Sequence, residues 1–69
     1  MASDYVKVSY PPPTNYRVVL RSGDVCSAEG VSAIEMRHDW LTLADEEMRV
    51  VFSAPREVVR YYEAVDGRG

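Results

Sequence analysis

Four short runs rich in β-branched and aromatic residues, each closed by turn-forming residues, constrain this chain most. Tyr16-Arg17-Val18-Val19-Leu20-Arg21 is the first, and Ser22-Gly23-Asp24 closes it. The β-branched content favours a strand, and Gly23 supplies the positive φ that a tight reversal needs. A second strand is expected from Val25 to about Met36, with Gly30 as a bulge or bend inside it. Arg37-His38-Asp39 forms the next turn, Trp40-Leu41-Thr42-Leu43 a third strand, and Ala44-Asp45-Glu46-Glu47 a polar turn. Met48 to Ser53 forms a fourth strand. The fold class that follows is mainly β: a small antiparallel sheet or barrel-like meander of four to five strands.

The segment after Pro55 leaves two readings open. Pro55 suits a first helical turn, and Val58, Tyr61, Tyr62 and Val65 fall at i, i+3, i+4 and i+7, a helical stripe. Val59, Tyr61, Glu63 and Val65 also alternate as a strand would. One reading is a helical turn over Pro55–Val58 followed by a fifth strand; the other is a C-terminal helix packed on the sheet.

The N-terminal residues divide differently. Tyr5-Val6-Lys7-Val8 alternates and reads as an edge strand or a loose tail. Pro11-Pro12-Pro13 follows, which favours polyproline II and donates no backbone hydrogen bonds. Residues 1–15 are therefore expected to be a tail with a stiff spacer, residues 16–66 one compact domain, and residues 67–69 a frayed end. The spacer has no basic residue at motif spacing and no Pro-Pro-x-Tyr arrangement, so it does not read as a ligand for an aromatic groove.

With 69 residues there is room for one domain. A domain of this size buries only ~60% of its unfolded surface and usually needs a staple. Cys26 is the lone cysteine and His38 the lone histidine, so neither a disulfide nor a four-ligand zinc site is available. An apolar content of 46% is too rich for a disordered chain. No apolar run reaches the ~20 residues of a membrane span, and the start lacks the pattern of a signal peptide. A cytoplasmic setting is expected. Seven of the eight basic residues are Arg, and together with many Val and Ala this suggests a GC-rich coding bias.

Val18-Val19-Leu20 and Val50-Val51-Phe52 put apolar groups on both faces of their strands, whereas a sheet with one solvated face alternates cleanly. Something must cover both faces: a curved sheet, a C-terminal helix or a second copy of the chain. A homodimer or larger oligomer is therefore weighed evenly against a monomer.

No set of residues defines a reaction. His38 beside Asp39 has no nucleophile near it in sequence and reads as a turn histidine. Cys26, among Val25, Ala28 and Val31, reads as a small buried hydrophobe rather than a thiolate paired with His38. Asp45-Glu46-Glu47 lacks the spaced ligands and glycine of a calcium loop and reads as a solvated turn. No enzyme activity, cofactor or metal is expected. Trp40, Tyr61 and Tyr62 are the candidate protein interface. Arg17, Arg21 and Arg49 are a candidate nucleic-acid face, which the net charge of −3 weighs against.

Two resemblances bear on function. Val18-x-Leu20-x-x-Gly23 with Gly30 on the next strand resembles the opening of Sm-like barrels, which assemble into rings and bind RNA. That family's acidic and Asn loop residues have no counterpart at Arg37-His38-Asp39, and its Arg-Gly signature is absent at Ser53-Ala54-Pro55, so no RNA-binding residue carries over. The succession from Tyr16 to Val65 resembles small uncharacterised β-proteins of GC-rich bacteria and their phages. That likeness implies an accessory or regulatory protein that acts by contact with an unidentified protein partner.

Overall fold

A computed structural model describes residues 6–65. Seven strands form: β1 (Val6–Ser9), β2 (Thr14–Leu20), β3 (Val25–Val31), β4 (Ala33–Arg37), β5 (Trp40–Ala44), β6 (Val50–Pro55) and β7 (Val59–Val65). They make two antiparallel sheets, one ordered β1-β4-β5-β6 and the other β3-β2-β7. After Pro55 a single 3₁₀ turn, Arg56–Val58, leads directly into β7. Of the two readings of that segment, the helical turn followed by a strand is the one formed.

The strand count exceeds the expected four to five for two reasons: the long second strand is two strands in different sheets, and Val6–Ser9 pairs as a further strand. β3 lies in the three-stranded sheet and β4 in the four-stranded one, and the chain crosses between them at Ser32, whose N–H donates to Ala44 O at 2.9 Å. Gly30 prepares the crossing. The register steps from Thr14↔Val31 to Tyr16↔Ala28, so β3 carries one extra residue there. Gly30 takes φ 66°, and its N–H donates to Asn15 Oδ1 at 3.0 Å. A bulge bends and twists a strand, which is how one run of residues can turn the corner between two packed sheets.

Pairing also extends ahead of Tyr16. Thr14 and Asn15 belong to β2, and Val6–Ser9 pairs antiparallel with β4, from Val6↔Arg37 to Ser9↔Ile34. The end expected to fray, residues 67–69, lies outside the described residues, as does Asp66.

The core between the sheets is small. Val18, Val31, Leu41, Leu43 and Val59 are fully buried, with Ala28 beside them. Tyr16, Leu20, Cys26, Ile34, Met36, Val51, Phe52 and Tyr62 close over this centre. Two further bulges decide which residues join it. Between Leu43↔Phe52 and Ala44↔Val50, β6 carries Val51 as an extra residue, so Val51 and Phe52 both turn inward. Val50 is left on the outside, 61% exposed. Between Val19↔Tyr61 and Leu20↔Val59, β7 carries Arg60 as the extra residue. The inward set on β7 therefore passes from Val59 to Tyr62, and Tyr61 faces out.

Candidate functional site

The three aromatic residues expected at an interface are not brought together. Trp40 opens β5 on the outer face of the four-stranded sheet, 48% exposed, and its Nε1–H donates to Ser53 Oγ on β6. Tyr61 lies on the outer face of the other sheet, in a row with Val19 and the exposed Val25. Tyr62 points inward and meets Tyr16 edge to face, with ring centroids 5.9 Å apart.

The three arginines are also separated. Arg17 and Arg21 belong to the strand and turn of the three-stranded sheet, whereas Arg49 belongs to the β5–β6 turn of the four-stranded one. Each has a partner. Arg17 pairs with Glu63, its neighbour in register, at 3.1 Å. Arg21 Nε donates to Glu57 O at 2.6 Å. Arg49 pairs with Glu47.

The structure does assemble an apolar face that the sequence did not mark. Because Ile34, Met36, Leu41, Leu43, Phe52 and Ala54 face the core, the alternate residues of β1, β4, β5 and β6 form the outer side of that sheet. Val6, Val8, Trp40 and Val50 emerge there by register. Tyr10 and Met48 join them at the rim of a shallow 210 Å³ depression floored by Ala33, Thr42 and Ala44. These six make up most of the large apolar side chains exposed among the described residues. The charged groups between them, Glu35 and Arg37, neutralise each other at 2.9 Å. Val6 and Val8 were visible as an alternation, but only pairing of β1 with β4 puts them beside Trp40. Nothing in the sequence signals Tyr10 and Met48.

Met48 is costly where it sits. In the β2–β3 hairpin, Gly23 N–H donates to Leu20 O and Leu20 N–H to Asp24 O, with Gly23 at φ 100°. The β5–β6 hairpin repeats the pattern: Met48 N–H donates to Asp45 O and Asp45 N–H to Arg49 O, with Met48 at φ 64°. Asp45 Oδ1 additionally accepts from the N–H groups of Glu47 and Arg49, both at 2.9 Å. A side chain in the left-handed region costs ~1 kcal/mol or more, and glycine does not bear that cost. Met48→Gly is expected to raise stability by about 0.5–1 kcal/mol, after the larger unfolded-state entropy of glycine is set against the relief. In thermal denaturation that is a rise of a few degrees, roughly 2–8 °C for a chain of this size.

Elsewhere, His38 (φ 50°) and Asp39 (φ 61°) form the two-residue turn between the paired Arg37 and Trp40. Asp39 O accepts the N–H of Arg56 at 2.7 Å, which fastens this turn to the 3₁₀ turn. Cys26 is half-buried against the core. Among the described residues, no three His, Cys, Asp or Glu side chains are placed to hold a metal ion. None of the described helices is long and apolar enough to cross a membrane.

Fold and surface together define a two-sheet antiparallel β-protein with one apolar outer face. Comparison with protein-family models, curated proteins and solved structures returned no match.

Proposed function

We propose that this is a small non-enzymatic accessory or regulatory protein that works through protein–protein contact, and that it self-associates through the outer face of its four-stranded sheet. The observation that carries this reading is the gathering of Val6, Val8, Tyr10, Trp40, Met48 and Val50 on one face, where the charged Glu35 and Arg37 pair with each other. Contiguous exposed apolar surface of this kind marks interaction sites. A symmetric pair of such faces stacks at the ~10 Å spacing of packed sheets, with no unpaired charge to bury. Met48 supports the reading further, because a strained backbone that holds an apolar side chain in water serves stability in no way. The likeness to accessory β-proteins of bacteria and phages points the same way.

Sedimentation velocity at micromolar concentrations is expected to show a concentration-dependent dimer. Lysine at two exposed positions, M48K/V50K, is expected to give a monomer with an unchanged far-ultraviolet spectrum. A wild-type chain that sediments as a monomer throughout would remove self-association from the proposal.

Nucleic-acid binding through Arg17, Arg21 and Arg49 is the alternative reading. It draws no support from three dispersed and partnered guanidinium groups. Titration with labelled DNA and RNA at low salt separates the two, since backbone binding weakens steeply as salt is raised.

A further inference from the structure

β1 fits its place poorly. Among the described residues it spans Val6–Ser9, every one of them exposed, and its principal contact is β4. Its outward residues, Val6 and Val8, are apolar, while its inward residues are Lys7 and Ser9. Below Lys7 and Ser9 the two sheets part into a 240 Å³ cleft walled by Ile34, Met36, Leu41 and Tyr62. An apolar cleft is thus covered by an ammonium and a hydroxyl, neither of which fills it. A hydrophobic side chain buried there would gain the transfer energy that the native pair forgoes.

The connection to β2 matches a strand that comes and goes. Pro11, Pro12 and Pro13 donate no backbone hydrogen bonds and favour an extended course. β2, which follows them, is paired with both β3 and β7, so loss of β1 would leave its pairing in place. Release uncovers the backbone edge of β4 together with the apolar cleft beside it. A sheet edge supplies main-chain affinity and pockets for alternate side chains, the pairing used in recognition by strand addition.

We propose that β1 is a displaceable cover over a strand-accepting site on β4, and that the site takes an extended segment of a protein partner with apolar side chains two residues apart. The segment runs antiparallel to β4, and its two apolar residues enter the cleft where Lys7 and Ser9 now stand. This site lies on the inner side of the four-stranded sheet, but its opening carries Val6 and Val8 off the outer face, so peptide binding and self-association are expected to oppose each other.

The test uses the full chain and a synthetic peptide of residues 4–10 carrying K7L and S9I, flanked by lysines for solubility. Amide NMR titration is expected to show saturable binding, with the Val6–Ser9 signals moving to disordered positions while β5 and β7 stay folded. The peptide with the native Lys and Ser is expected to bind at least about tenfold more weakly. The full chain carrying K7L and S9I fills its own cleft and is expected to bind the test peptide at least about tenfold more weakly than wild type. Binding that leaves the β1 amides in place, equal binding by that variant chain, or no binding at all overturns the proposal. M48K/V50K, which alters no residue of the cleft, is expected to bind the peptide at least as tightly as wild type does, so loss of self-association and loss of peptide binding are read separately.

Discussion

Leu43→Ala is expected to leave the chain largely unfolded. Leu43 is fully buried and lies in register between Ile34 on β4 and Phe52 on β6, facing a core of Val18, Val31, Leu41 and Val59. Truncating a buried leucine costs about 2–5 kcal/mol, from lost transfer energy plus the cavity left behind. A single core in a chain this short rarely supplies more than ~3–5 kcal/mol. The loss is therefore comparable to the whole. Collapse around the cavity is restricted, because β5 is paired on both sides and its neighbours are held by the ladders. Circular dichroism should show the variant without a cooperative thermal transition. Running it at two protein concentrations adds information. A transition that survives and rises with concentration would show that association supplies part of the stability.

Tyr62→Ala and Tyr61→Ala are expected to differ widely although the residues are adjacent and identical. Tyr62 packs on the core, meets Tyr16 edge to face and walls the cleft under β1. Its truncation is expected to cost about 2–4 kcal/mol, somewhat below that of a fully buried aromatic because the ring is only partly enclosed. Tyr61 is 47% exposed on the other face, beside Val19, and its truncation is expected to stay within about 1 kcal/mol. Urea denaturation measures both. Equal losses, or a larger loss at Tyr61, would mean that β7 lacks the bulge at Arg60 and that its side chains point the opposite way.

That pair shows why strand faces were only partly legible beforehand. Val59, Tyr61, Glu63 and Val65 alternate in the sequence, and an unbroken strand would turn Tyr61 inward with Val59. The extra residue at Arg60 shifts the phase by one and turns Tyr62 inward instead. The same holds for Val50-Val51-Phe52, which looked like a strand with two apolar faces. The bulge sends Val51 and Phe52 to one side, so two of the three are covered by the core and Val50 alone is left outside. A bulge of this kind has no residue signature where neither position is glycine. Gly30, which does carry one, was marked from the sequence.

The candidate surface was legible to a similar extent. Trp40, a large aromatic legible in the sequence, stands on the apolar face. Its companions come from β1, the Tyr10 segment and the β5–β6 turn, distant in sequence and joined only by the pairing of β1 with β4 and of β5 with β6. Arg17 and Arg21 are spaced as on one face of a strand, but Arg49 belongs to the turn of the other sheet.

The sequence by itself determined the class of structure and most of its turns. β-branched runs select strands because their side chains fit a pleated surface. Gly23 and the polar clusters at 37–39 and 44–47 select reversals through local backbone preferences, which need no distant partner. Pro55, with φ −60° at the N-cap, marks the end of β6 and the start of the turn Arg56–Val58 for a local reason as well. Only the tertiary structure decided which strands share a sheet, where the chain crosses at Ser32, and which of two adjacent side chains meets the core. Those outcomes depend on register between segments far apart in the chain, where a shift of one residue exchanges the inside for the outside.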